Sequence, residues 1–280
     1  MNDSVITPLA CTVRTCGLPL TRRERAYFCP SGHAFDIARS GYVNLLQPQD
    51  RRSSKPGDSK AAVEARSALE RASVGSAVIA AVIEKVPAGL PAGAVVVDLG
   101  SGTGEMLGRL CADRQIAGVG LDLSVAAVDF AARRFPTQTW VVANADRRLP
   151  LQDACLDVVL SIHGRRNPPE CARALKSDGL LVVALPASDD LMELRTFLQG
   201  RSVERDRVEA LLHEHNSDFE LVERVSIRER LTLDRTAVHD LLRGTYRGAR
   251  FKLADRVEAI SEMDVTLSSE LCVLKRKRSG

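Results

Sequence analysis

Three cysteines and a histidine open the chain with the spacing of a metal site, Cys11-x4-Cys16-x12-Cys29-x3-His33. Two close ligand pairs, each closing a short turn, can complete a tetrahedron across a hairpin, and three thiolates with one imidazole suit Zn2+. Four protein ligands leave no open coordination position, so the expected metal is structural. Leu18 to Arg25, between the pairs, is too polar to bury three free thiols as core residues. A segment this short folds only with its metal. The remaining four cysteines, Cys111, Cys155, Cys171 and Cys272, have no ligand spacing and read as buried or half-buried thiols.

A second group of residues is suited to holding an organic ligand. Asp98 closes an apolar run and is followed by Gly100, Gly102 and Gly104, with a helix starting at once. Glycines let backbone pass close to a ligand, and a helix N-terminus presents free N–H groups. Asp122 ends the next apolar run, where it can accept from a ribose diol. Asp146 follows the third and can accept from an exocyclic adenine amine. Asp-x-Gly-x-Gly-x-Gly differs from the Gly-x-Gly-x-x-Gly turn of dinucleotide enzymes in its spacing and in its leading acid.

The elements that must position these groups alternate. Ala94–Leu99, Val119–Asp122, Thr139–Ala143, Asp157–Ile162 and Gly179–Leu185 read as buried strands. Helical patterns cover residues 60–86, the stretch up to Ala112, and a segment N-capped by Ser124 that runs to Arg134; a short one lies at Glu170–Leu175. This is an α/β chain with a mostly parallel, doubly wound sheet, which binds ligands beyond the carboxyl ends of its strands. Phe219–Arg230 and Val265–Leu274 are expected as antiparallel edge strands, with a helix at Leu233–Leu242 between them. The expected division is a zinc-binding module over 1–46, a basic linker over 47–60 and a catalytic domain over 61–280.

Composition narrows the class. The chain has 280 residues, 45% hydrophobic and 27% charged, which describes one large domain with a small appendage and a full core. No run of 18 apolar residues occurs, so no membrane span is expected. Met1-Asn2-Asp3-Ser4 lacks the regions of a secretion signal, and seven cysteines without one argue for a reducing cytoplasm. The net charge of +3 hides a division. Residues 1–60 carry nine Lys/Arg against five Asp/Glu, Lys275 to Arg278 are all basic, and the stretch between has 26 basic and 31 acidic residues. Arg14, Arg22, Arg23, Arg25, Arg39, Arg51, Arg52 and Lys55 suit an RNA phosphate backbone, and equally an ordinary solvated face.

With Asp122 and Ala145-Asp146-Arg147-Arg148-Leu149-Pro150, the acid-led glycine turn resembles the S-adenosylmethionine site of class I methyltransferases (a Rossmann-like sheet). The zinc module and the string Phe35-Asp36-x-Ala38-x-x-Gly41-Tyr42-x-Asn44-Leu45-Leu46 narrow the resemblance. So do Gly57-Asp58-Ser59, Ala65-Arg66, Arg166-Asn167-Pro168-Pro169-Glu170 and Leu191-Met192-Glu193-Leu194. Over nearly its whole length the chain is similar to the 23S ribosomal RNA guanine-N1 methyltransferases, which include tylosin- and mycinamicin-resistance enzymes. The resemblance implies a zinc module that helps bind an RNA hairpin and a core that methylates guanine N1 in domain II hairpin 35. It implies cofactor contacts from Asp98, Gly100, Gly102, Gly104, Glu105, Asp122, Asp146 and Asp190, and often a homodimer.

The chain departs from that pattern at several points. Its first cysteine pair is spaced x4, not x2. Val74 stands where a Tyr can occur, Asp190 where some members have a cofactor-lining His, and His163-Gly164-Arg165 where Phe-Ala-Pro is common. A Thr-Pro…Trp signature is reduced to Thr245-Tyr246. His163, at the end of the fourth strand, is the expected acceptor of the guanine N1 proton, and is equally read as a turn histidine. Two rival functions remain open from sequence: a small-molecule methyltransferase on the same core, and an RNA-binding protein that has kept the fold without catalysis.

Overall fold

The computed structural model describes residues 5–50, 57–112, 114–199, 207–244 and 260–277. The first elements are β1 (Val5–Ala10), β2 (Pro19–Arg23), β3 (Ala26–Phe28) and β4 (Ala34–Asp36), an antiparallel sheet in that order. Next come β5 (Val43–Asn44), α1 (Lys60–Arg71), α2 (Ser76–Lys85), β6 (Val95–Leu99), α3 (Glu105–Ala112), β7 (Ala117–Asp122), α4 (Val125–Arg134) and β8 (Thr139–Val142). The chain continues through β9 (Leu156–Ile162), α5 (Pro168–Ala174), β10 (Leu175–Pro186), α6 (Met192–Gln199), α7 (Val208–His215), β11 (Phe219–Asp234), α8 (Arg235–Gly244) and β12 (Glu262–Arg276).

The large sheet has the order β11-β12-β10-β9-β6-β7-β8-β5. From β10 to β5 the pairings are parallel, and β12 runs antiparallel to both of its neighbours. The chain steps outward from β6 through β7 to β8, then returns to β9 on the other side of β6. That reversal opens a cleft beyond the carboxyl ends of β6 and β9. The expected doubly wound α/β sheet is thus present, with the small N-terminal module beside it.

Three features differ from the sequence expectation. Residues 60–86 form two helices, because Ser73 (φ +61°) and Gly75 (φ +80°) take left-handed conformations that end α1 and turn the chain into α2. The Val265–Leu274 strand is interior, between β10 and β11, so of the two expected edge strands β11 alone lies at an edge. Its burial on both faces explains this, since Val265, Thr266, Ser268, Ser269 and Leu271 to Leu274 are all buried. Strands β2 and β3 form the hairpin expected between the two ligand pairs, while β1, β4 and helices α6 and α7 carry no sequence signal, being short or weakly periodic.

The zinc module is packed onto the sheet. Leu9, Leu20, Tyr27 and Cys29 share one core with Val141, Leu149 and Leu151. Val43 and Asn44, assigned to the module by sequence, pair in parallel with Val141 and Val142 and extend the large sheet. On the opposite face Trp140, Leu107, Ala131 and Val182 form a second core. Leu69, Leu194, Leu241 and Val265 form a third, which clamps α1, α6 and α8 over the cleft. Cys171 and Cys272 are fully buried and Cys111 and Cys155 half-buried, as expected. Among the described residues no helix is long and apolar enough to cross a membrane.

Candidate functional site

The metal centre is assembled by two tight turns. In the first, Gly17 N–H donates to Cys11 O at 3.1 Å and Cys16 N–H to Val13 O at 3.0 Å. Left-handed Arg14 (φ +48°) and Gly17 (φ +62°) accommodate the longer x4 spacing there. In the second, Gly32 N–H donates to Cys29 O and Cys29 N–H to His33 O, both at 3.0 Å. The ligand atoms of Cys11, Cys16, Cys29 and His33 all lie within 4.8 Å of one another. Cys16 Sγ is 3.9 Å from Cys29 Sγ, and His33 Nδ1 is 3.2 Å from Cys29 Sγ and 3.4 Å from Cys11 Sγ. Tetrahedral zinc with Zn–S of ~2.3 Å places sulfurs ~3.8 Å apart, so the donor set fits Zn2+ by chemistry and spacing.

This centre adjoins the cleft. Ala10 N–H donates to Pro150 O at 2.9 Å, and a Cβ on Gly17 would lie 2.8 Å from Arg148 Nη2. The loop carrying Asp146, Arg147 and Arg148 therefore joins the first metal turn to the mouth of the cleft. The cleft encloses about 1110 Å³. Asp98, Gly100, Gly102, Glu105, Asp122, Asp146, His163 and Asp190 all line it. His163 follows β9, the neighbour of β6, and a Cβ on Gly100 would lie 3.4 Å from Gly164 Cα. Gly104 lies against Trp140, with φ +79°, and a Cβ there would meet Trp140 Cη2 at 2.5 Å. Its lack of a side chain serves the core beneath the turn.

The acids differ in how they are held. Asp98 is 2% exposed, and its Oδ1 has no hydrogen-bond partner among the described residues. Burial, helped by the nearby Asp122 charge, pushes its carboxyl up to about 7. Asp122 accepts Gly102 N–H at 2.9 Å and Ser124 N–H at 2.8 Å, yet burial still holds its carboxyl above the ordinary range. A buried carboxylate with unmet acceptor capacity is costly unless a ligand supplies donors or positive charge. Glu105 is ion-paired to Arg134 at 2.5 Å, and the same guanidinium reaches Glu70 at 3.2 Å. Thr103 Oγ1 donates to Glu70, which ties the glycine turn to α1. Asp146 is ion-paired to the exposed Arg165 at 2.9 Å.

A strap over the glycine turn gave no functional signal in the sequence beyond its place in the family string. Gly57 packs so closely that a Cβ would lie 2.6 Å from Ser124 Cα, and Ser124 Oγ donates to Asp58 O at 2.7 Å. Arg66 Nη1 lies 2.6 Å from Asp58 Oδ2, and Arg66 Nε donates to Gly244 O at 2.8 Å. This cation sits beside Gly102, whose absent Cβ would be 3.7 Å from Arg66 Nη1.

After β9, His163 takes φ +53° and pairs through Nε2 with Ser269 Oγ at 2.9 Å. Its ring is accessible from the cleft but surrounded by protein. That crowding, with the Arg207 charge, pushes the imidazole down to about 4, so it is neutral at physiological pH. Asp190 Oδ1 accepts Ser268 N–H at 3.0 Å, and burial pushes its carboxyl up to about 6. Val74 also lines the cleft. Arg14, Arg22, Arg23, Arg25 and Arg39 are all exposed, and Arg23 stacks over the Phe28 ring at 5.9 Å. Arg51, Arg52, Lys55, Thr245, Tyr246 and Arg278 lie outside the described residues.

Comparison with known proteins places this geometry in a family. The model for the N-terminal zinc ribbon of RlmA matches residues 10–55, and a model described as a methyltransferase domain matches residues 96–179. The 23S rRNA (guanine(748)-N(1))-methyltransferase of Streptomyces fradiae is 37% identical over 246 residues, covering 85% of this chain and 84% of the relative. A Micromonospora griseorubida protein, provisionally named a 23S rRNA (guanine-N(1)-)-methyltransferase, is 34% identical over 94% of this chain and 95% of its own. Among solved structures, a Bacillus halodurans protein provisionally described as a methyltransferase shares the fold, with a TM-score of 0.51 at 15% identity. That match covers 71% of this chain and 98% of the other. The S-adenosylmethionine-type cleft and the Cys3His ribbon thus stand together in one chain, which belongs to the 23S rRNA guanine-N1 methyltransferase family.

Proposed function

We propose that the protein methylates guanine N1 in hairpin 35 of 23S ribosomal RNA, using S-adenosylmethionine as donor. The observation that carries the cofactor side is Asp98, a buried carboxylate with an unmet oxygen beside the Gly100–Gly102 turn. The cofactor supplies an electrophilic methyl carbon on a cationic sulfur. Asp98 suits the ammonium of its methionine end, and Arg66 the carboxylate. Asp122 retains lone pairs for the ribose diol while its N–H bonds hold the turn in shape. Asp146 accepts from the adenine amine as Arg165 swings aside. Glu105 acts from one side, fixing the start of α3 through Arg134, and Gly104 lets the turn sit on Trp140. Zn2+ held by Cys11, Cys16, Cys29 and His33 keeps the ribbon folded. His163 presents a neutral imidazole at the end of the cleft where the acceptor base enters.

The exposed Arg14, Arg22, Arg23 and Arg25 on the ribbon, with Arg147, Arg148 and Arg165 at the cleft mouth, suit the phosphates of an RNA hairpin. The target base must leave its stack to reach the cleft. The zinc thiolates suit a cytoplasmic setting, and a homodimer is the expected assembly, testable by light scattering.

The test is to incubate the protein with labelled S-adenosylmethionine and a hairpin 35 transcript, then map the product by primer extension. Methylation on the Watson–Crick edge predicts a reverse-transcriptase stop at one guanine. Tight cofactor binding with no label on RNA favours the small-molecule methyltransferase. Absence of cofactor binding favours a non-catalytic RNA-binding protein.

A further inference from the structure

Two further carboxylates line the cleft, anchored by different strands. Asp190, in the turn after β10, holds Oδ1 against the Ser268 N–H at 3.0 Å. The next residue, Ser269, holds His163 Nε2 at 2.9 Å, so Asp190 and His163 rest on successive residues of β12. Glu229 comes from β11, where Val225, Ile227, Glu229 and Leu231 alternate as the half-buried face. Ile227 and Glu229 line the cleft, and Glu229 Oε2 is buried without a hydrogen-bond partner among the described residues. Asp98, 2% exposed and also short of a partner, marks the cofactor end of the same cavity.

Guanine presents two adjacent donors on its Watson–Crick edge, N1–H and the exocyclic amine. Adenine presents an acceptor at N1. Carboxylates only accept, so a cavity lined by two of them attracts the first edge and repels the second. We propose that Asp190 and Glu229 read the Watson–Crick edge of the target guanine, Asp190 taking the N1 proton and Glu229 accepting from the exocyclic amine. This rests on the reading that the acceptor is an RNA guanine. As the proton moves to the Asp190 carboxylate, the N–H electron pair stays on N1. N1 bonds the methyl carbon, and the carbon–sulfur pair leaves with sulfur. One positive and one negative charge are lost together, and Asp190 then returns its proton to water.

Asp190 suits this step better than His163. Burial, with a small push from Asp189, raises its carboxyl to about 6 against the Ser268 N–H and the Arg195 and Arg207 charges, whereas burial and Arg207 lower His163 to about 4. Asp190 is therefore the stronger proton acceptor of the two. Asp189 itself is ion-paired to Arg228 at 2.8 Å.

The test uses the full chain, S-adenosylmethionine and the hairpin transcript under single turnover, with S-adenosylhomocysteine affinity measured in parallel. Asp190→Asn is expected to slow methylation at least ~100-fold while cofactor-product affinity stays within about threefold. Wild-type rate should fall below about pH 6 along a limb that Asp190→Asn lacks, and Asp190→Glu should restore part of the rate. Glu229→Gln on guanine, and wild type on a hairpin with inosine at the target, should each lose about tenfold, with no further loss when combined. An Asp190→Asn enzyme within threefold of wild type overturns the inference and leaves the proposed activity standing. So does an equal loss of rate and cofactor-product affinity, which would make Asp190 a cofactor ligand. A wild-type protein that leaves guanine N1 unmethylated overturns both.

Discussion

Gly102 donates its backbone N–H to Asp122 Oδ2 at 2.9 Å, so the glycine turn after β6 hangs from the carboxylate that closes β7. Asp122→Asn keeps the shape but sets an amide N–H2 against one of two backbone donors, and an unmet buried donor costs about 1–3 kcal/mol. The variant should melt earlier and bind S-adenosylhomocysteine at least ~10-fold more weakly by calorimetry. Unchanged affinity would remove Asp122 from the cofactor site.

The glycines of the turn separate by purpose. At Gly104 an alanine Cβ would lie 2.5 Å from Trp140 in a left-handed conformation, so Gly104→Ala should destabilise the fold by roughly 2–4 kcal/mol. At Gly102 the nearest atom to such a Cβ is Arg66 Nη1 at 3.7 Å. Gly102→Ala should cost only the strain of φ +53°, roughly 1–2 kcal/mol, and act mainly on cofactor affinity. Chemical denaturation beside calorimetry checks the split, and equal stability losses would refute it.

Asp98 makes the ligand-free protein sensitive to pH. Its carboxyl lies at about 7 in the fold against 3.8 ordinarily, so the folded state holds the proton more tightly. The associated stability is fully present below about pH 4 and is lost as pH rises through about 7, by at most on the order of 4 kcal/mol. Asp98→Asn should flatten this dependence and raise the melting temperature at pH 8, while abolishing cofactor binding. Asp122, Asp190 and Glu70 are raised by burial too, so part of the slope should remain. A mutant that melts like wild type at every pH would contradict the assignment.

Removing zinc should act on the ribbon and spare the cleft. Chelation or Cys29→Ser should release one metal ion per chain and loosen β1 to β4, detectable as faster amide exchange there. The cofactor turn is held by β6 and β7, so S-adenosylhomocysteine affinity should stay within about threefold, while RNA methylation drops at least ~10-fold. Equal loss of both would place the metal in support of the whole fold.

Part of this architecture could be read directly from the chain. The Cys3His cluster and the Asp98 to Gly104 turn are local patterns, because each set of ligands is joined by short turns whose geometry spacing largely sets. The alternation of apolar runs and amphipathic stretches announced the α/β sheet for the same reason. Ser124 was identified as an N-cap, and its Oγ accepts Ala127 N–H at 3.1 Å.

The rest of the site depends on contacts between distant residues. Arg66 reaches Gly244 across 178 positions, which no spacing rule anticipates. The placement of β12 between β10 and β11 brings Ser268 and Ser269 under Asp190 and His163 and aims Glu229 at the cleft. Gly104 reads as a ligand-binding glycine until Trp140 is seen beneath it. The metal cluster, the glycine turn and the class of sheet follow from residue order alone, since these rest on bonding between near neighbours. Which acids line the cleft together was decided by strand order, because pairing across the sheet, and not distance along the chain, sets what borders it.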